Sequence, residues 1–136
     1  MIATVRRNVV GVIAIEASGS DPLSNAVRTS LTFDPPLAED FAAVESNGCN
    51  LQPEGSISTL TNYTFPVTLV GTPNSFLAAS LPCSLASLQQ AGVDASLVMM
   101  QDVGAPGTGH FLVAETNNAD SAQAIIDIAA GMAAGE

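Results

Sequence analysis

A single histidine, His110, supplies all the imidazole in this chain, so any acid–base step near neutral pH has to run through it. The other candidate nucleophiles are two thiols, Cys49 and Cys83, and many serines. A Cys83–His110 pair would make an activated thiolate, yet Pro82 before the cysteine and Ser84 after it match no local signature for one. A Ser/His/Asp set needs an exposed nucleophile, an orienting carboxylate and an oxyanion site. The chain has no GxSxG elbow, and its serines stand in turn or helix-capping contexts. On sequence alone no catalytic residue is assigned, and the expectation is a protein that is not an enzyme.

Gly104-Ala105-Pro106-Gly107-Thr108-Gly109 resembles the phosphate-cradling loop of nucleotide hydrolases, in which glycine lets backbone amides approach phosphate oxygens. The resemblance ends where the chemistry would begin. His110 stands in place of the phosphate-binding lysine, and Phe111 in place of the magnesium-binding hydroxyl residue. Phe111 to Ala114 then reads as a strand, whereas a phosphate loop opens a helix. A hairpin loop is the expectation, and no nucleotide cofactor is assigned.

Metal chemistry fares no better. With one His, two distant Cys and no CxxC, structural zinc is excluded. Glu39 with Asp40 sits where helix-start carboxylates are expected, and helix capping explains Asn117, Asn118 and Asp120. Neither cluster makes a DxDxDG calcium loop. No metal site is assigned. The two cysteines read as buried free thiols, with a single disulfide as the second reading. Cys83 would lie at a helix start. Asn62-Tyr63-Thr64 fits the glycosylation sequon, a pattern short enough to arise by accident. Met99-Met100 reads as core filling within a strand.

Charge sharpens these exclusions. There is no lysine, and three arginines face thirteen acidic residues for a formal net charge of −10. Such a surface repels phosphate backbones and anionic lipid headgroups, so nucleic acid and membrane surfaces are excluded as partners. Charged residues make up only 12% of the chain, against about 25% in ordinary soluble domains. Much of the surface is therefore Ser, Thr, Asn, Gln, Ala and Gly, which gives little charge-based protection against self-association.

The elements that would position these residues begin with a Val/Ile-rich strand, Ala3 to Ala17. Arg6-Arg7 before the apolar run Val9 to Ile15 resembles parts of a secretory or twin-arginine signal. Gly11 to Glu16 resembles a prepilin cleavage site. Ala17-Ser18-Gly19-Ser20-Asp21-Pro22 breaks the long apolar helix a prepilin needs, so a strand without a cleaved signal peptide is the expectation. No stretch reaches the length of a transmembrane segment.

Asn25 to Phe33 alternates with period two and reads as the hairpin partner of the first strand. Asp34-Pro35-Pro36 opens an expected helix from Leu37 to Ser46, closed by Asn47-Gly48. Ser56 to Gly71 reads as extended and broken at Pro66, followed by a short helical turn around Phe76 to Ser80. Ser84 caps a helix to Ala91, with Gly92 as terminator. Two further strands, Ala95 to Asp102 and His110 to Thr116, flank the Gly/Pro loop. A C-terminal helix from Asp120 or Ser121 to Ala134 shows Ala122, Ile125, Ile126, Ala129, Met132 and Ala133 as its apolar stripe.

The 136 residues form one domain, 1–136. The expected class is α+β, with a mainly antiparallel sheet built from hairpins and two or three helices. Function follows by elimination. Few charges and no catalytic group suit a structural subunit of a larger assembly, most plausibly a capsid decoration or tail component of a virus particle. A tail lumen must repel DNA, and an outer decoration layer never touches the genome. Its partners would be other protein subunits, its own copies or a capsid or tail protein, with the terminal strand and helix as contact elements. The alternatives are a small ligand-binding or enzymatic domain with a pocket near His110 or Cys83, and a secreted adhesion module.

Overall fold

A computed structural model describes residues 9–17, 32–37, 44–106 and 109–134. Among the described residues seven strands run in chain order: β1 (Val12–Ile15), β2 (Phe33–Asp34), β3 (Val44–Ser46), β4 (Cys49–Leu51), β5 (Ile57–Ser58), β6 (Val67–Gly71) and β7 (Ala95–Met99). Two α-helices lie among the described residues, α1 (Leu81–Gln90) and α2 (Asn118–Ala134).

The main sheet is parallel, in the order β1-β6-β7, which overturns the antiparallel, hairpin-built sheet expected from sequence. Val12 pairs with Val67 and Ile15 with Val70, while Val67 pairs with Ala95 and Gly71 with Met99. The physical reason lies in β6. Its sequence, Val-Thr-Leu-Val-Gly, is buried at every position, as expected for a central strand covered on both faces. The break at Pro66 marks the start of this strand, and the Pro66 carbonyl accepts a hydrogen bond from Val12 N–H at 2.9 Å.

Alternation along the strands divides the core in two. Val12, Ala14, Val67, Leu69, Ala95 and Leu97 face α1, whose Leu85 and Leu88 pack against them. Ile13 and Val70 face the other way, toward Ala124, Ile125 and Ile128 of α2 and toward Met100 and Leu112. The result is three layers, helix on sheet on helix, with a βαβ crossover β6-α1-β7.

Two further expectations are corrected, and a third falls mostly outside the described residues. Of the expected second strand, Asn25 to Phe33, only the end is described, and there Phe33–Asp34 pairs antiparallel with Ile57–Ser58. Residues 18–31 lie outside the described residues. The expected helix Leu37 to Ser46 ends in a strand: Val44–Ser46 pairs antiparallel with Cys49–Leu51. Residues 38–43 lie outside the description. Asn47 and Gly48 both have positive φ, 52° and 77°, the signature of a two-residue type I′ hairpin turn. Asn-Gly therefore closes a hairpin here and caps no helix. The expected strand His110 to Thr116 is a turn followed by a 3-10 helix at Leu112–Ala114.

The C-terminal helix is present, but its stripe is shifted. Ser121 and Ala124 are buried, and Ile125, Ile128 and Met132 are half-buried. Ala122, Ile126, Ala129 and Ala133, read from sequence as part of the same apolar stripe as Ile125 and Met132, are exposed. A helix apolar nearly all round carries more than one plausible stripe, and the contact with Val70 and Ile13 selects one of them. α1 begins at Leu81 with Pro82 in its first turn, three residues before the expected Ser84 cap, and Gly92 follows it with φ of 81°. No helix among the described residues is long and apolar enough to cross a membrane.

Candidate functional site

β1 and β6 end side by side, and both chains turn at once. Glu16 is the first residue past β1 and has φ of 49°, a conformation that non-glycine residues seldom adopt. Backbone held there costs about 1–3 kcal/mol, and such strain concentrates at functional positions. The turn is pinned by Glu16 N–H donating to the Val70 carbonyl at 2.8 Å. It directs the carboxylate over the end of β6, where the side chain is 5% exposed.

Thr72, two residues into the space beyond Val70, meets that carboxylate twice. Its backbone N–H donates to Glu16 Oε1 at 2.6 Å and its hydroxyl lies 2.8 Å from the same oxygen. The hydroxyl is also 3.0 Å from the Gly109 carbonyl. One proton is thus shared between two acceptors, which ties the loop before His110 to the end of β6.

His110 completes the cluster. Its Nδ1 lies 3.1 Å from Glu16 Oε2. This is the one ion-pair geometry among the described residues, whose sole side chain able to carry a positive charge is His110, since Arg6, Arg7 and Arg28 fall outside them. Ser75 Oγ lies 3.4 Å from the same Nδ1 and accepts from Leu77 N–H at 3.0 Å. Burial alone would push the Glu16 pKa up. Hydrogen bonds from the hydroxyls of Ser75 and Thr72, from His110 and from Thr72 N–H outweigh it and hold the carboxyl below its ordinary value. The carboxylate is therefore ionised near neutral pH, and because it only accepts, Nδ1 carries the proton. That tautomer leaves the Nε2 lone pair uncommitted, with no partner among the described residues.

Two aromatic rings frame the imidazole. Phe76 packs at 4.4 Å between centroids, tilted by 45°, and Phe111 at 4.9 Å, nearly edge-on. Both rings are largely exposed, at 77% and 71%. The site can therefore offer a basic nitrogen between two apolar walls. Ser75 is buried and meets Nδ1 rather than Nε2, so it is not placed as a nucleophile.

The remaining sequence candidates fall elsewhere. Cys83 is not a thiol: it is joined to Cys49 by a disulfide, with 5.2 Å between Cα atoms, which corrects the expectation of free thiols and removes the Cys83–His110 pair. Asn117 sits just before α2, where its carbonyl accepts from Asp120 and Ser121 N–H and its amide reaches the Pro106 carbonyl. Glu39 and Asp40 lie outside the described residues, and no group of three metal-ligating side chains occurs among the described ones. Ala105 is buried at the heart of the glycine loop, while residues 107–108 are outside the description. Met99 ends β7, and Met100 is fully buried in the core facing α2. Asn62 lies exposed at the end of a 3-10 turn.

Sequence reasoning missed Glu16, Thr72, Ser75 and Phe76. The available cue was positional: Glu16 and Thr72 directly follow apolar runs that become parallel strands, Ser75 and Phe76 lie in the loop after Thr72, and open parallel sheets bind ligands beyond the carboxyl ends of their strands. No protein-family profile, curated protein or solved structure matches this chain.

Proposed function

We propose that this chain is an acid–base site on a small parallel sheet, in which Glu16 orients His110 and Nε2 exchanges a proton with a bound ligand or its attacking water. The observation that carries the reading is the buried Glu16 carboxylate at 3.1 Å from His110 Nδ1, beyond the carboxyl ends of β1 and β6. A carboxylate behind an imidazole fixes its tautomer and favours the imidazolium formed on proton uptake. Phe76 and Phe111 suit a ligand with an apolar or aromatic portion beside the group that gives or takes the proton.

Because His110 is the only histidine, the ultraviolet absorbance of N-carbethoxyhistidine formed by diethyl pyrocarbonate reports on it alone. The reading requires Nε2 to be acylated faster than a free imidazole at alkaline pH, where both rings are neutral, and Glu16→Gln to slow it. A rate equal to that of free imidazole and indifferent to Glu16→Gln would sink it. Hydrolysis of small aryl esters, compared between the wild-type chain and His110→Gln, then asks whether the group turns over.

A second reading, the structural subunit of a particle assembled with copies of itself or with a capsid or tail protein, is favoured by the outward face of α2. Ala122, Ile126, Ala129 and Ala133 lie exposed along it, and a helix this apolar on its outer side is ordinarily covered. The Cys49–Cys83 disulfide supports an oxidising location, as a virion or an extracellular particle would provide. Molar mass by light scattering across a concentration series tests it: a discrete oligomer supports assembly, and a monomer at every concentration counts against self-assembly.

A further inference from the structure

The disulfide joins the β3–β4 hairpin to the first turn of α1, the helix whose Leu85 and Leu88 pack on the sheet. Cys49 opens β4, just past the Asn47-Gly48 turn, and Cys83 is the third residue of α1. Neither sulfur belongs to the two apolar clusters that unite sheet and helices. Between hairpin and helix lies a cavity of about 290 Å³, lined by Gly48, Cys49, Asn50, Phe76, Ala79 and Cys83 among others. Phe76 therefore has two neighbours: the cavity beside the disulfide, and the imidazole of His110.

At its far end the hairpin has a second, independent attachment. Gln90 in the last turn of α1 accepts from Gln52 N–H at 3.0 Å and donates its amide to the Gln52 carbonyl at 3.0 Å. This pair pairs with backbone as a neighbouring strand would, and it does not involve sulfur. Cutting the S–S bond frees the turn end of the hairpin and leaves the Gln52 end as a hinge.

We propose that the Cys49–Cys83 disulfide is a thiol-exchange site that latches the β3–β4 hairpin against Phe76, and that its reduction opens the cavity and the flank of the His110 site. The reductant is a dithiol. One thiolate attacks the Cys83 sulfur, which is half-buried where Cys49 is buried, forming a mixed disulfide as the Cys49 thiolate leaves and takes a proton. The second thiol of the reductant then displaces Cys83 as a thiolate, closing the reductant's own disulfide; two electrons have passed to the protein, one proton is on Cys49 and the reductant's other proton is released to solvent. Freed in the first turn of α1, the Cys83 thiolate is stabilised by the helix N-terminus, which favours the reduced form. The latch rests on the His110 site only for its consequence, since the exchange itself needs only the sulfurs and the cavity.

The test uses the intact chain with and without dithiothreitol, reading amide hydrogen exchange and the acylation rate of His110. Reduction is expected to speed exchange of hairpin amides by about tenfold or more while β6 amides keep their protection. His110 acylation is expected to rise several-fold, and a Cys49→Ser/Cys83→Ser variant to reproduce both effects without reductant. Unchanged hairpin exchange overturns the latch. So does simultaneous loss of β6 protection, because the bond would then be a global staple. Hairpin opening with His110 unaffected overturns the coupling to the site. The acid–base reading fails separately, on Glu16→Gln in the oxidised protein.

Discussion

Glu16 and His110 stand 94 residues apart in sequence and meet at 3.1 Å between Oε2 and Nδ1. Three turns at one end of the sheet produce this contact: the one after β1, the one after β6, and the Gly109-His110 turn tied down by Thr72. Because the carboxylate also holds Thr72 N–H and its hydroxyl, Glu16 organises both loops as well as the imidazole.

Replacing Glu16 by Gln keeps the shape and removes the charge. The Thr72 N–H can still be accepted, but the charge-assisted bonds become neutral ones, and hydrogen bonds to charged groups contribute about 1.5–3 kcal/mol against about 1 for neutral pairs. Glu16→Gln is expected to lower unfolding free energy by about 1–2 kcal/mol by denaturant titration, and to slow acylation of His110. A variant as stable as the parent would mean that the carboxylate is not held as described.

The same carboxylate imposes a pH dependence whose sign is fixed. Its folded pKa lies below the ordinary value because hydrogen bonds from Ser75, Thr72 and His110 outweigh the opposing effect of burial. In the window between that depressed value and about 4.3, the ordinary glutamate value, the unfolded chain binds more protons than the folded one. Stability from Glu16 is thus fully present above the ordinary value and is lost as pH falls through the folded one. Titrating the other carboxylates also relaxes the repulsion of a net charge of −10, so the useful quantity is a difference. The stability gap between the parent and Glu16→Gln is expected to narrow on acidification. A gap independent of pH would contradict the shift.

How far the fold was legible depended on what each segment asked of its neighbours. In the second half of the chain the existence of α1 and α2 was legible, with Gly92 a local stop signal for α1. Both helices nevertheless begin two or three residues before the expected caps, α1 at Leu81 rather than after Ser84 and α2 at Asn118 rather than after Asp120. The sheet was misread because parallel pairing leaves no local trace. Val12–Ile15 looks the same whether its partner is the next strand or one more than fifty residues on. Asn47-Gly48 was ambiguous for another reason: glycine with positive φ serves both helix ends and hairpins, and only the strands beside it decide. Of the site, His110 was singled out for its chemistry, but its partner Glu16 was seen only as part of an N-terminal pattern. A buried carboxylate is recognisable once the strand order puts it at a carboxyl end, and the order was the missing piece.

Gly71, the last residue of β6, has no room for a side chain. A methyl group there would overlap Leu81, which is fully buried and cannot swing to solvent, and would meet the Met99 sulfur at 2.9 Å. Overpacking of this kind costs about 1–3 kcal/mol, so Gly71→Ala is expected to lower the unfolding midpoint. Leu81 opens α1 and Gly71 leads into Thr72, so the displacement also reaches the Glu16 site, and His110 acylation is expected to change with it. An unperturbed midpoint would show that the contact between β6 and α1 is looser than described.

The register of α2 separates its two apolar faces, and a pair of substitutions two residues apart reads them independently. Ile128 packs, half-buried, on the cluster built around Val70 and Met100; a carboxylate placed there would lose that apolar contact and be partly desolvated without a partner. Ile128→Asp is therefore expected to cost about 2–3 kcal/mol. Ile126 is 59% exposed on the outer face, so Ile126→Asp is expected to change unfolding free energy by about 0.5 kcal/mol or less. If that face holds copies together, Ile126→Asp also lowers the molar mass in solution, since two added charges would have to meet across an already anionic contact. The sequence-derived stripe puts Ile126 on one face with Ile125 and Met132; were that face the one packed on the sheet, Ile126→Asp would be the costly change. Circular dichroism of the two variants decides between the registers, and light scattering on Ile126→Asp decides whether the outer face is covered by another copy.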